Sequence, residues 1–529
     1  MTQQINYLAK LAAQGKLGRR AFLGKAAALG ASTAVATSLL SGTALAAGPK
    51  KGGHLKAGLA GGESTNSLDP ATFLTQVPAD FGRMWGDTLV EVSRIGEIVY
   101  RLAESIEPSA DAKTWHFTIR KGVKFHNGKT LTAEDVLKTM QRHSGDDTKS
   151  GALGIMRGIE SMKADGDVFS VTLTTPNADL PYLMSDYHLI IQPDGGMGAP
   201  DAGIGTGPYK VTVDEPGVRH VGERFEEYWD APNRGHADTV EIVVLNDATA
   251  RTAALQGGQV HMINRVEPKI ADLLERVPGV SVKSVSGRGH YVFLMHCNTA
   301  PFDNNDLRLA LKYAIDREEM VDKILRGYGS VGNDMPINGG YPLFSEDIPQ
   351  RMYDPDKASF HYKKSGHSGP ITLQTAATAF SGAVDAAQLF QQSAAKCGIT
   401  LDVKREPDDG YWTEVWNKQP FSASYWGGSR PVQDQMYSTA YKSDSDWNDS
   451  RFFRPDFDKL LIEARGELDQ AKRVVLYREM GLMVHNEGGV ILPMFNDFIG
   501  AISDTVAGYE DDPSGEMMNG AALAKCWLA

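Results

Sequence analysis

Cysteine is scarce: Cys297, Cys397 and Cys526 are the only three in 529 residues. An odd number with no short spacing indicates neither a disulfide framework nor a zinc knuckle. Positive charge is also in deficit, with 54 Lys and Arg against 66 Asp and Glu and a formal net charge of −12. Nucleic acid and anionic membrane surfaces both reward basic patches, so neither is the main partner this composition favours. Enzyme signatures are missing as well, since the chain contains no G-x-S-x-G, H-E-x-x-H or Walker A loop. One G-x-G-x-x-G, Gly327 to Gly332, follows a helical pattern where a nucleotide loop should follow a strand, and it reads as an ordinary loop. The 55 glycines show no collagen or solenoid period.

What is present is globular. With 42% hydrophobic and 23% charged residues the chain is too apolar for disorder, and at this length it exceeds one ordinary domain, so at least two compact units are expected.

The first 46 residues differ in composition from the rest. They hold five cations (Lys10, Lys16, Arg19, Arg20, Lys25) and no acid, and the 483 residues that remain carry 49 cations against 66 acids, a charge of −17. Arg19-Arg20 precedes a weakly apolar Ala/Gly/Ser/Thr/Leu stretch that ends in Ala44-Leu45-Ala46, the three-part pattern of an export leader. Adjacent arginines point to the twin-arginine route. A spanning helix would need roughly 18 strongly apolar residues, which this stretch lacks. No Cys follows it to carry a lipid, so the reading is a freely soluble periplasmic protein beginning near Ala47.

Periodicity then supplies elements. Thr114 to Arg120 and Val168 to Leu173 alternate with period two, as half-buried strands do. Asn127-Gly128 is a tight-turn pair, and Thr132 is placed to cap a helix with Glu134 and Asp135 in its first turn. A strand over 240–245 leads through Asp247, a second candidate cap, into a helix ending at Gly257-Gly258. Beyond residue 290 helices over 303–326 (joined near Asp316), 384–397, 456–466 and 469–487 alternate with strands over 290–297, 399–404, 421–426 and 490–495. The second half therefore reads as α/β. The division near 290–296 has no Pro- or Gly-rich linker, which implies strands crossing between two lobes as a tight hinge.

The thirteen histidines are scattered. His290 and His296 share a strand face, but ~20 Å between them at ~3.3 Å per residue excludes a shared metal, and strand packing explains them. Residues 411–447 are different: nine aromatics fall in 37 positions, and half of the eight tryptophans are among them. Trp412 and Trp416, one helical turn apart, are expected to share a buried face. Trp426 ends a strand and is followed by Gly427-Gly428-Ser429-Arg430-Pro431, a loop where backbone can approach a ligand, so it is expected to face one.

Taken in order, Ser67-Leu68-Asp69-Pro70, Leu102 to Ser105, Arg120 to Gly128 with Leu131 to Val136, Gly205-Thr206-Gly207-Pro208-Tyr209, and Pro301-Phe302-Asp303 leading to Ala314-Ile315-Asp316-Arg317 resemble family 5 extracellular solute-binding proteins, the dipeptide, oligopeptide and nickel receptors of ABC importers. The resemblance implies an α/β, two-lobed periplasmic-binding-protein fold of type II, hinge-connected, in its large variant. Lobe 1 would span 47–293 with a subdomain inserted over about 90–198, lobe 2 would span 294–495, and 496–529 would return to lobe 1. It also implies a non-catalytic monomer that delivers a small solute to ABC permease subunits, with no cofactor and no nucleic acid. A secreted enzyme is the rival of another class, disfavoured because nucleophile, metal and paired-carboxylate signatures are all absent.

In peptide-binding members an Asp three residues after the Trp pairs with the peptide ammonium, and here that position is Ser429. An Arg that some dipeptide receptors place before the helix over 384–397 is replaced by Ala376-Ala377-Thr378-Ala379. A buried ammonium without a partner costs several kcal/mol, which selects against ordinary peptides, although a di- or oligopeptide receptor is the alternative. Arg430 offers a donor fork for an anion, unless it forms a structural ion pair with Asp434. By the same resemblance Phe73 of lobe 1 faces Trp426 across the cleft. The expected ligand-binding residues are Phe73, Trp426, Ser429 and Arg430.

Replacing Arg19 and Arg20 with Lys should leave the unprocessed precursor in the cytoplasm. Fractionation and immunoblotting check this, and normal periplasmic processing of the variant would remove the twin-arginine assignment.

Overall fold

The computed structural model describes residues 48–145, 148–428, 430–467 and 469–529, so the leader expected over 1–46 lies outside the described residues. One eleven-stranded sheet runs through both halves of the chain, in the order 401–405, 371–375, 421–426, 280–295, 490–503, 262–263, 54–59, 239–244, 219–224 and 209–215, with 329–331 attached to 490–503. At the centre are two long antiparallel strands, Val280–Met295 and Val490–Ser503, paired from Val280↔Ser503 to Leu294↔Val490. Their register breaks between Ser286 and His290. Such an irregularity bends and twists a ribbon, and this one lies where the strands pass from one lobe to the other. Gly287 sits inside it because a Cβ there would lie 2.4 Å from the Pro513 carbonyl oxygen.

Both strands are longer than periodicity indicated. Residues 280–289 alternate weakly and contain Gly287 and Gly289, and 496–503 begin with Asn496-Asp497, so neither stretch is marked as a strand by its sequence. Pairing with each other overrides that local preference. Elsewhere the expectations held closely. Thr132 Oγ accepts from the Asp135 N–H while Asp135 Oδ2 accepts from the Thr132 N–H, a reciprocal cap for the helix Ala133–Ser144. Asp247 caps Ala248–Gln256, and Asp316 caps Arg317–Met320. The glycine run at 327–332 contributes the short strand Gly329–Val331 on the edge of Val490–Ser503.

The first lobe is built on His54–Leu59, parallel to both Thr239–Val244 and Met262–Ile263. Its core joins Leu55, Ala57, Phe73, Phe81 and Trp85 to Met517, Leu523 and Cys526, so the end of the chain is packed into the beginning. A separate four-stranded sheet, Ala103–Pro108, Thr114–Ile119, Val168–Leu173 and Ile159–Asp165, encloses its own core around Phe117, Phe125, Val136 and Phe169. In the second lobe strand alternation distributes the core over both faces of the sheet. Phe293 and Met295 point toward Leu373, Ala386 and Phe390, whereas Val292 and Leu294 point toward Met436, Tyr437, Leu461 and Met480. The four-stranded part also touches the second lobe directly, through Arg473 on Asp179, Arg157 on the Asp444 carbonyl, and Gln435 Nε2 on Asp186 Oδ2 at 3.3 Å. Among the described residues no helix is long and apolar enough to cross a membrane.

A buried ion cluster fastens the second lobe. Asp334, fully buried, accepts two hydrogen bonds from Arg317 Nη2 at 2.7 and 2.6 Å and one from the Leu492 N–H at 3.0 Å, and it pairs with Arg351 at 2.9 Å. Burial alone would raise its carboxyl, but Arg317, Lys312 and Arg351 together hold it below the ordinary value. Removing one partner of such a cluster strands the other charge in a low-dielectric interior. Asp334→Ala should therefore lower unfolding free energy by about 3–5 kcal/mol in chemical denaturation, with no direct effect on the cleft. A loss below about 1 kcal/mol would show that the cluster is solvated or can relax.

Candidate functional site

A cavity lies between the lobes and takes lining residues from both. The second lobe supplies its aromatic wall. Trp412 sits on the single helical turn Tyr411–Glu414, Trp416 just beyond it, Tyr425 and Trp426 at the end of strand Phe421–Trp426, and Trp447 on a later loop. The rings form one continuous set, with centroids 5.3 Å apart for Trp412 and Tyr425, 6.2 Å for Trp412 and Trp416, 5.5 Å for Trp416 and Trp447, and 5.9 Å for Trp426 and Trp447. Edge-to-face and tilted pairs at these separations are the arrangement that ring quadrupoles prefer. Trp412 and Trp416 do not share a buried helical face as expected. The helix is one turn long, Tyr411 and Val415 fill the core, and the two tryptophans stay half-buried along the cavity.

One carboxylate fixes two of these rings. Trp416 Nε1 and Trp426 Nε1 both donate to Asp449 Oδ2, each at 3.1 Å. The neighbouring Asn448 is bonded to the carbonyls of Tyr441, Lys442 and Phe452, which holds the loop beneath the rings. Burial pushes the Asp449 carboxyl up to about 7, opposed by the two indole N–H groups and Arg451.

Arg430 is 5% exposed and lies flat over this wall, its guanidinium carbon 4.8 Å from the Trp426 ring centre and 5.5 Å from that of Trp447. It has no ion pair among the described residues, and its Nε has no hydrogen-bond partner. The structural partner considered for it, Asp434, is taken by Arg465. The nearest acid whose titration it influences is Asp186. Burial opposes ionisation there, and His188 with Arg430 brings the carboxyl down to about 2. Asp186 is already engaged by His188 Nδ1 at 2.6 Å and by Gln435.

The first lobe supplies a polar face: Gln76, Asp80 and Arg83 from the helix Gln76–Trp85, Arg265 after strand Met262–Ile263, and Glu516 and Asn519 near the C-terminus. Arg265 Nε is 3.1 Å from Glu516 Oε2, and its Nη2 donates to the Tyr425 hydroxyl at 2.9 Å, a contact between lobes. Asp80 accepts from Gln76 Nε2 at 2.6 Å, while its other oxygen is buried without a partner. Burial, then the nearby Glu516, raises its carboxyl well above the ordinary value.

Of the residues expected to bind ligand, Trp426 and Arg430 line the cavity, and Ser429 lies outside the described residues. Phe73 does not line it. It is fully buried in the first-lobe core beside Gly82, where a Cβ would come within 2.6 Å of its ring, and its carbonyl accepts from His188 Nε2 at 2.8 Å. Its backbone leaves the turn Pro70–Thr72 in extended form, so successive side chains point opposite ways and the next residue, Leu74, meets the cavity at 46% exposure. The aromatic density of 411–447 foreshadowed the wall. No local signal marked Asp80, Arg265 or Glu516, because their proximity is made by residues hundreds of positions apart, nor Asp449, which meets Trp416 and Trp426 only 33 and 23 positions away but through the fold of a loop. Among the described residues no group of three or more His, Cys, Asp or Glu is placed to hold a metal. His290 is packed in the strand, its Nδ1 2.9 Å from the Arg288 carbonyl oxygen.

Two lobes joined by crossing strands, with a cavity lined from both sides, define a protein that encloses a solute. The chain belongs to the bacterial extracellular solute-binding proteins, family 5, whose sequence profile matches residues 97–448. It is 28% identical over 461 residues to heme-binding protein A of Haemophilus influenzae, covering 78% of this chain and 82% of that protein. Its fold is similar to that of the ABC transporter-associated periplasmic binding protein DppA of Helicobacter pylori in complex with the peptide STSA (TM-score 0.82, 22% identity, 90% of this chain and 98% of that one). It is also similar to the A. tumefaciens R10 binding protein AgaA in complex with agropinic acid (TM-score 0.81, 24% identity, 90% and 99%).

Asp449 makes stability depend on pH in a direction set by its raised carboxyl. The protonated form is favoured in the folded state, so the site's contribution is full below the unfolded value of 3.8 and is lost as pH rises toward about 7. Asp449→Asn should flatten that part of the Tm-against-pH curve between pH 4.5 and 7.5 while keeping an acceptor for the two indoles. Asp449→Ala, which strands two buried N–H groups, should cost about 1–3 kcal/mol for each. Equal slopes in wild type and Asp449→Asn would mean that the carboxyl titrates elsewhere.

Proposed function

We propose that this protein is the solute-capturing component of an ABC importer. It is exported to the periplasm, freed of its leader near Ala46, and acts as a non-catalytic monomer that presents an enclosed solute to permease subunits in the inner membrane. The carrying observation is the cavity itself, whose lining alternates between lobes joined by Val280–Met295 and Val490–Ser503. A solute that touches both walls stabilises only the closed arrangement, so capture and closure are one equilibrium. The working limits are 47–293 with 496–529 for the first lobe, including the inserted part at about 90–198, and 294–495 for the second. The crossing strands and the packing of Met517 to Cys526 into the first-lobe core support them.

The relatives differ in what their names say they bind (heme, a peptide, agropinic acid), so the choice of solute rests on the residues of this cavity. An ordinary peptide brings an ammonium that needs a carboxylate. Among the described residues two acids line this cavity, Glu516, already paired with Arg265, and Asp80, pushed toward its neutral form; Glu63, Asp408 and Asp409 lie in the wider opening beyond Thr75 and Trp412. That supports a small organic solute other than an ordinary peptide.

Four of the eight tryptophans line the cavity, so capture should change intrinsic fluorescence as well as shape. Titration with a solute that raises Tm should shift tryptophan emission and shrink the radius of gyration in small-angle scattering. A solute that binds tightly while leaving both signals unchanged would contradict capture between the lobes.

A further inference from the structure

Of the guanidinium groups lining the cavity, Arg265 is neutralised by Glu516 at 3.1 Å, but Arg83 and Arg430 have no ion pair among the described residues. They come from opposite lobes. Arg83 also lines a crevice with Ser185 and Pro431, close chain neighbours of Tyr187 and Arg430, which brings it to the Arg430 end of the cavity. Arg430 is 95% buried, lies over two indoles and donates toward the Tyr187 hydroxyl, but its Nε is unpartnered; Asp186, an acid it influences, is held by His188 and Gln435. A buried guanidinium with unused donors is a cost unless an acceptor arrives. Two like charges, one on each lobe, also oppose closure until an anion lies between them.

Building on the receptor reading above, we infer that the solute is an organic anion with a flat, unsaturated body, its carboxylate or equivalent group held between Arg430 and Arg83. The anionic group takes donors from both lobes and so completes the closed state. The body lies against the rings that Arg430 leaves uncovered, Trp412 and Trp416, with Phe380 and Tyr291 beside them, while Tyr425 is covered by Arg265. The stacked pair Tyr291 and Phe380, 4.4 Å apart and nearly parallel at 12°, gives that part of the wall a flat surface. Among the described residues lining this cavity Glu516 is paired with Arg265 and Asp80 is pushed toward its neutral form, so neither offers a cationic group a full negative charge.

The test compares isosteres on the mature protein. Benzoate and indole-3-acetate are titrated by calorimetry and thermal shift against benzamide, benzyltrimethylammonium and dialanine. The carboxylates should bind, benzamide should bind at least tenfold more weakly than benzoate, and Arg430→Gln should erase that preference; Arg83→Gln should reduce it. Circular dichroism of unliganded Arg430→Gln checks folding, and if that variant does not fold, the wild-type ratio of benzoate to benzamide decides. The inference is overturned if neither carboxylate binds, if benzamide matches benzoate, or if the preference survives in Arg430→Gln. Small-angle scattering separates this from the receptor reading: closure on dialanine without closure on benzoate would reject the anion and leave solute capture standing.

Discussion

Everything in this molecule depends on the pairing of Val280–Met295 with Val490–Ser503. The two strands are paired over most of their length, so the lobes are joined by a hydrogen-bonded ribbon whose register breaks between Ser286 and His290 and again between Tyr291 and Phe293. A ladder of this kind resists stretching but tolerates added twist at a bulge. The lobes therefore have one easy mode of relative motion. Because Trp426 pairs with His290 and Tyr425 with Tyr291, the end of the aromatic wall is attached to the residues where that mode originates. Motion at the hinge is converted directly into movement of the wall toward the polar face of the first lobe.

The two faces of the cavity are held by different physics. The aromatic wall is fixed from behind, by Asp449 beneath two indoles and by Arg430 across them, so the rings arrive with their orientation already set. Pre-set rings lose little rotamer freedom when a ligand arrives. The first-lobe face is fixed by charge: Arg265 on Glu516, with Gln76 on Asp80. Arg265 also reaches the Tyr425 hydroxyl, and it is the contact through which the polar face senses the position of the wall.

The sequence made some of this legible and hid the rest for a physical reason. Capping chemistry is local, so Thr132 and Asp247 could be placed as caps from nearby residues, and the structure has both at a helix start, with Asp316, expected as a helix junction, capping the second helix there. The strand ending at Trp426 was readable because the short run Phe421–Trp426, rich in aromatics, meets a glycine pair. Long pairing is not local: residues 280–289 and 496–503 carry at most a weak strand signature of their own, and their pairing with each other completes them. The same holds for the site. The wall lies in one stretch of 37 residues, and composition exposed it. The opposite face draws on residues 76–83, 265 and 516–519, and only the fold brings them together. Phe73 shows the limit of reasoning by position: a shift of one residue in an extended segment exchanges core for cavity.

Net charge and site charge also have to be kept apart. Residues 47–529 carry a formal charge of −17, yet the proposed solute is an anion. Repulsion by surface carboxylates is screened beyond about 8 Å at physiological ionic strength, whereas Arg430 acts from within a wall of indoles where water does not screen it. At contact distance the interaction is several-fold stronger in such surroundings than in bulk water. The exterior therefore governs solubility and the approach of solutes in general, and the two unpaired guanidinium groups govern which of them is kept. An acidic protein can select an anion when a cation without an ion pair, here Arg430, is buried where the lobes meet.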